Sequence, residues 1–296
     1  MAARWQGVFP PVLTPFKPNG ELDLDAHLFN IDRWNRTALS GYLLLGSNSE
    51  SAYLTEEEKL LLIEKTAAMV PSDKVLLAGT GMESTAATIA LTRKAAARGA
   101  QAALILTPSF YHGHMTEEAL ITYFRQVADA VPIPVLVYNV PKFTHINVGE
   151  GLISALCDHP NIVGMKDSSG NLGQLVTFQA VSGDSFDLLV GTAAIWYPGL
   201  TLGIRGGIMA LANVFPEACV DIQQFVITGR HAEAEQLYRL LYPVNHALTA
   251  TYGVAGLKYA ADRMGWIGGA VRGPLLPLRE TQRRALDGIL EKTGLL

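Results

Sequence analysis

The sequence predicts an α/β protein: a (β/α)8 TIM barrel with a C-terminal helical extension. Three observations lead there. Eight short apolar runs begin at residues 7, 41, 74, 102, 134, 162, 187 and 206. Each is continuously apolar rather than alternating, as expected of parallel strands covered on both faces. Amphipathic stretches separate most of them and supply the helix that a right-handed parallel crossover needs. Together these favour a closed barrel over an open sheet.

In order, strands are expected at 7–14, 41–46, 74–79, 102–107, 134–139, 162–166, 187–191 and 206–211. Helices are expected at 55–70, 84–98 and 116–131. The first and third of these open on a threonine. In Thr55-Glu56-Glu57-Glu58 the hydroxyl can cap an early backbone N–H while Glu58 reaches back to the cap. The acidic first turn also complements the helix dipole. Between the last two strands there is room only for a short helix, at about 193–202. The barrel is expected to occupy 1–214, closed by the helix after strand eight at about 215–230. Residues 231–296 form the extension; helices of the C-terminal segment are expected at 216–228, 230–248 and 281–291, with Gly and Pro punctuation between them.

The 296-residue chain is 49% hydrophobic and 17% charged, which excludes a disordered protein. A net charge of −4, with no concentrated basic surface, argues against a nucleic-acid partner. No uncharged apolar run reaches the ~18 residues of a bilayer span. The N-terminus lacks the apolar core and cleavage site of a signal peptide, so a cytoplasmic protein without membrane contact is expected. Cys157 and Cys219 match no zinc or redox spacing and are expected as buried free thiols.

In such a barrel, chemistry belongs to the polar residues at the carboxyl ends of the strands. Lys166 is the outlier, since strand alternation puts either Met165 or Lys166 into the barrel mouth. A lysine among apolar walls loses the hydration of its charged form, and the neutral amine can attack a ketone. The competing reading is a snorkelling lysine paired with Asp167. Tyr138 ends the adjacent strand, either as a phenol within proton-relay reach of that amine or as a wet rim tyrosine. Gly46-Ser47-Asn48-Ser49-Glu50 is a small polar loop whose N–H groups and hydroxyls suit a carboxylate or phosphate. Glu50 reads as a structural acceptor for the loop's own N–H groups. His112, His114 and His145 follow strands four and five but match no metal-ligand spacing, so no metal site is expected.

These residues carry a resemblance. Gly46-Ser47-Asn48-Ser49-Glu50, Tyr138-Asn139-Val140-Pro141 and Gly164-Met165-Lys166-Asp167-Ser168-Ser169-Gly170 resemble the three signature segments of the dihydrodipicolinate synthase/N-acetylneuraminate lyase family. The resemblance covers essentially the whole chain. It implies a class I, Schiff-base aldolase that needs no cofactor beyond the covalent imine, usually a homotetramer built as a dimer of dimers. Position by position, it implies that Lys166 forms the imine with pyruvate or another 2-oxo acid and that Tyr138 relays protons. It puts Ser47 and Asn48 at the substrate carboxylate, and Gly191 and Ile208 where backbone groups line the pyruvate site.

Three departures bear on the substrate. Synthases of the family carry an arginine shortly after the Tyr-Asn-Val-Pro segment to grip aspartate semialdehyde; here Phe143 stands there, beside Lys142. A phenyl ring cannot make a guanidinium's bidentate contacts with a carboxylate. The family's tyrosine pair after Thr107-Pro108, whose first member crosses a subunit interface, is replaced by Phe110-Tyr111, leaving Tyr111 as the possible relay. Ser49 replaces a usual glycine and narrows the loop if that position needs φ > 0. Gly46-Ser47-Asn48, residues 159–167, Ala210-Leu211-Ala212-Asn213 and 253–258 are similar to 4-hydroxy-2-oxoglutarate aldolases, and 2-keto-3-deoxy sugar acid aldolases share much of this pattern. The expected activity is therefore cleavage or formation of such an acid from pyruvate and an aldehyde. The other readings are a dihydrodipicolinate synthase condensing pyruvate with aspartate semialdehyde, a metal-dependent lyase using the loop histidines, and a non-catalytic 2-oxo acid sensor.

Overall fold

The apolar runs form eight parallel strands in the computed structural model, which describes residues 5–295. They are β1 (Gly7–Phe9), β2 (Gly41–Leu44), β3 (Val75–Gly79), β4 (Ala102–Leu106), β5 (Val135–Asn139), β6 (Ile162–Asp167), β7 (Asp187–Val190) and β8 (Gly206–Ile208). From β2 to β8 each pairs in parallel with the next, and β8 returns to pair with β1. The seam between β1 and β2 closes through backbone bonds from Ser40 N to Val8 O (3.0 Å), Leu43 N to Pro10 O (3.0 Å) and Val12 N to Leu43 O (2.8 Å). The result is the (β/α)8 barrel that the sequence predicts.

β1 stops five residues short of the expected run because Pro10 and Pro11 have no N–H to give a ladder. Their carbonyls are still used. Pro10 accepts from Leu43, and Pro11 accepts from the buried Asn213 amide at 3.0 Å. β8 is likewise shorter than expected: after Ile208 the chain turns into a 3₁₀ segment (Ala210–Asn213). Asn213 Oδ1 also accepts from Leu13 N at 3.1 Å, so one buried side chain replaces the ladder that both strand ends lose.

The barrel helices are α1 (Leu24–Asn35), α2 (Glu56–Ala67), α3 (Thr85–Ala97), α4 (Glu117–Ala130), α5 (Pro141–Thr144), α6 (Glu150–Leu156), α7 (Leu172–Ser182), α8 (Trp196–Thr201) and α9 (Pro216–Ile227). The predicted capping box forms: Thr55 Oγ1 accepts from Glu58 N (3.2 Å) and Glu58 Oε2 from Thr55 N (2.9 Å). Such caps are each worth about 1 kcal/mol. Strand side chains alternate between two apolar clusters. Phe9, Leu43, Leu77, Leu104, Leu136, Tyr138, Leu189 and Ile208 fill the barrel interior, while Val137, Met165 and Val190 pack outward against the helices.

The extension contains α10 (His231–His246), α11 (Gly253–Arg263) and α12 (Glu280–Glu291). A continuous helix over 230–248 is expected, but regular winding stops at His246 and residues Ala247–Thr251 widen into a π-turn. Pro243 lies one turn before it, and such turns often mark functional positions. Trp34 of α1 stacks on Trp266 at 5.2 Å, and Asn30 exchanges two hydrogen bonds with the Ile267 backbone. These contacts fasten the extension to the first barrel helix. Both cysteines are free; Cys219 is buried as expected, but Cys157 is only half-buried because it caps the end of α6.

One buried group makes the fold sensitive to acid. His27 of α1 shares a 2.8 Å hydrogen bond with Thr66 of α2, and burial pushes its pKa down to about 4. As pH falls through about 6.5 the unfolded chain takes up a proton that the folded chain refuses until pH 4. Stability is therefore lost across that window, by up to about 3 kcal/mol from this group. Urea unfolding at pH 7 and pH 4 should show His27→Gln losing less stability than wild type by about that amount. Equal acid losses in the two proteins would contradict the assignment.

Candidate active site

β5 and β6 pair so that Tyr138 stands directly opposite Lys166 and Asn139 opposite Asp167. Tyr138, and Leu189 across β7 from Lys166, belong to the interior cluster, whereas Met165 packs outside. Lys166 is therefore the residue that points into the barrel. Asp167 does not hold it. The Asp167 carboxylate accepts from Asn139 Nδ2 at 2.6 Å and from Ser169 Oγ at 2.5 Å, so the reading of a snorkelling ion pair fails. Burial raises the Asp167 carboxyl above its ordinary value, against the pull of the Ser169 and Asn139 hydrogen bonds.

Lys166 is 3% exposed, and its Nζ lies 4.3 Å from the centroid of the Tyr138 ring. The Tyr138 hydroxyl is 3.5 Å from Ser47 Oγ, the outer limit of a hydrogen bond. Burial on its own would raise the Tyr138 phenol. The Lys166 charge and the Ser47 hydroxyl outweigh burial and hold it below its ordinary value. Ser168 Oγ is turned toward the same phenol but reaches no protein partner at hydrogen-bonding geometry. A buried hydroxyl without a partner costs free energy until something satisfies it.

The pair opens onto a cavity of 530 Å³. Its lining includes the small or polar Ser47, Asn48, Ser168, Gly191 and Thr192 and the apolar or aromatic Val140, Phe143, Leu248, Tyr252 and Leu276. The Ser47–Ser49 turn is held from behind: Ser49 Oγ donates to Val12 O (2.5 Å) and accepts from Gly46 N (3.1 Å). Ser49 itself does not take a positive φ; Leu45 and Glu50 do, so the expected crowding at Ser49 does not arise. Glu50 differs from expectation too. It accepts the distant Arg272 N–H at 2.8 Å rather than N–H groups of its own loop.

Gly191 is needed for close approach, because a Cβ there would collide with Ser168 Oγ and the Asp167 carbonyl. Ile208 is fully buried in the barrel interior and lies outside the cavity wall. Tyr111 is exposed on the loop after β4, edge-on to Phe110, and does not reach the cavity of its own chain. The rings of His112 and His145 lie 6.4 Å apart. Among the described residues no group of three or more His, Cys, Asp or Glu side chains is placed to hold a metal ion. Phe143, 56% exposed, lines the mouth. Its neighbour Lys142 donates to the Thr249 carbonyl in the π-turn at 2.7 Å.

Sequence reasoning did not assign Ser168, Thr192 or the π-turn to the site. The first two carry a legible signal, since both close strands. The π-turn carries none, because no local sequence pattern marks such a turn within a helical run.

A buried amine beside a phenol of lowered pKa, facing hydroxyls and an open cavity, can attack a carbonyl and move the protons that imine formation requires. Tyr138→Phe keeps the ring and removes the hydroxyl. Imine formation with pyruvate should slow by about a hundredfold or more with little change in melting temperature. An unchanged rate would remove Tyr138 from the relay.

The whole chain has known relatives. Residues 4–293 match the model of the dihydrodipicolinate synthetase family. A 4-hydroxy-tetrahydrodipicolinate synthase of Methanothrix thermoacetophila is 35% identical, over 97% of each chain. One from Bartonella quintana is 32% identical, over 98% of this chain and 99% of the other. The crystal structure of a prophage protein of the dihydrodipicolinic acid synthase family from E. coli K12, in complex with pyruvate, superposes with a TM-score of 0.93 at 29% identity. That superposition covers 99% of this chain and 100% of the other. This chain belongs to the dihydrodipicolinate synthetase family, and is a carbon–carbon lyase of the pyruvate-dependent, class I aldolase type that works through a Schiff-base lysine without a cofactor.

Proposed function

We propose that Lys166 is the Schiff-base lysine and that the enzyme interconverts a 4-hydroxy-2-oxo acid with pyruvate and an aldehyde. The observation that carries this reading is the inward-facing Lys166 amine over the Tyr138 ring, inside a cavity edged by Ser47 and Ser168. In the cleavage direction the amine adds to C2 of the substrate, and the carbinolamine loses water to give the protonated imine. The C4 hydroxyl loses its proton, the C3–C4 bond breaks, and its electron pair moves into the imine to form an enamine. The aldehyde leaves, the enamine takes a proton at C3, and water releases pyruvate. Tyr138 is placed to carry protons at the amine and carbinolamine, with Ser47 as its partner. Ser47 and Asn48 orient the carboxylate, so that positioning and charge stabilisation lower the barrier.

The substrates we propose are 4-hydroxy-2-oxoglutarate or a 2-keto-3-deoxy sugar acid. Phe143 supports the sugar acid over aspartate semialdehyde, since among the described residues the cavity lining holds no arginine to grip a second carboxylate. The sister reading, condensation of pyruvate with aspartate semialdehyde, is favoured by the names of the relatives. We also propose a homotetramer. Phe110 and Tyr111, 75% and 67% exposed, lie where a second copy could cover them, and Tyr111 would join a relay only across such a contact.

Steady-state assays should give a larger kcat/KM for pyruvate release from 4-hydroxy-2-oxoglutarate or 2-keto-3-deoxygluconate than for consumption of aspartate semialdehyde. The reverse order would establish the synthase reading.

A further inference from the structure

Glu50 and Lys258 are buried charges that the proposed chemistry leaves unused. Glu50 directly follows the Ser47–Ser49 turn, in a left-handed backbone conformation (φ 54°, ψ 36°). Its carboxylate is ion-paired with Lys258 of α11, and the two side chains are 1% and 2% exposed. Around this pair runs a closed polar cluster. The second Glu50 oxygen accepts from Arg272 N at 2.8 Å, and Lys258 Nζ donates to Ala270 O at 2.6 Å. The Arg272 guanidinium clamps the Glu58 carboxylate at 2.6 and 2.7 Å and donates to Tyr53 O at 2.8 Å. The Phe16 ring lies against both cations, 4.4 Å from Lys258 and 4.1 Å from Arg272.

Glu50, Lys258 and Arg272 do not line the cavity, but the elements that carry them do. Ser47 and Asn48 precede Glu50 in the same loop. Gly253, Val254 and Ala255, in the first turn of α11, line the same cavity. The ion pair therefore joins two elements that line the cavity, through residues that do not.

Stability alone is a poor reason for such a pair. Desolvating each ion costs several kcal/mol, and apolar replacement of both partners is often neutral or stabilising. The left-handed backbone at Glu50 adds a further cost. What the pair supplies is a fixed position. We infer that Glu50 and Lys258 are positioning residues that hold the Ser47–Asn48 turn in the geometry that receives the 2-oxo acid carboxylate, so that the C-terminal extension sets pyruvate affinity. The inference rests on Lys166 as the imine lysine and on Ser47 and Asn48 as the carboxylate site.

The test is the pyruvate concentration that half-saturates borohydride-trapped adduct, measured beside melting temperature. The double variant Glu50→Gln/Lys258→Met removes both charges at nearly constant volume, so it should fold with a melting temperature close to wild type. Its half-saturating pyruvate should rise about tenfold, the effect of about 1.4 kcal/mol, while the amount trapped at saturation stays near wild type. Lys258→Arg, which keeps the charge, should recover most of the affinity. Where the double variant does not fold, Glu50→Asp keeps both charges and withdraws the turn by one methylene, and the same weakening is expected. Wild-type half-saturation in a folded variant would overturn the inference. Absence of adduct in the wild type would instead overturn the imine reading.

Discussion

The parallel register of β5 on β6 is the constraint from which the site follows. It sets Tyr138 opposite Lys166 inside the barrel, and Asn139 opposite Asp167 outside it. A one-residue slip would turn Lys166 outward among the helices and bring Met165 inward, since side chains alternate strictly along a strand. The outer pair guards the inner one. Asp167 ties Asn139 to Ser169, and Asn139 also accepts from Val148 N at 3.2 Å, so both strand ends are fixed by bonds that use neither Tyr138 nor Lys166. The inner pair is thereby left free of structural duties and available for chemistry.

Around that register the chain replaces regular ladders with buried side-chain stitches. Asn213 joins the ends of β1 and β8, Asn30 joins α1 to the extension, and the Glu50–Lys258 pair joins the Ser47–Ser49 turn to α11. Each lies where a proline, a turn or a change of direction interrupts backbone pairing and leaves polar groups to be satisfied by other means. The extension is thus a working part of the site: its π-turn and the start of α11 line the cavity, and Lys258 fixes the loop that carries Ser47 and Asn48. Loss of the extension would expose the mouth and release that loop together.

Much of this was legible in the sequence. Continuous apolar runs gave away the parallel strands because both faces of each are covered. Lys166 and Tyr138 stood out as polar residues closing such runs. The shortening of β1 was written in Pro10 and Pro11, but the use of their carbonyls required the partner strand and Asn213, which lies about two hundred residues away. Periodicity left open whether Met165 or Lys166 faced inward; the register with Tyr138 decides it. The partner of Glu50 was hidden for the same reason, since an ion pair between a loop and a C-terminal helix has no local signature. The π-turn was invisible because no local pattern marks where a helix widens by one residue.

The central claim is covalent, and one measurement tests it. The protein is incubated with pyruvate, reduced with borohydride, digested, and the modified peptide is located by mass spectrometry. One reduced pyruvyl adduct is expected, on Lys166, absent from Lys166→Ala. An adduct on another lysine, or none on folded protein with pyruvate in excess, would contradict it.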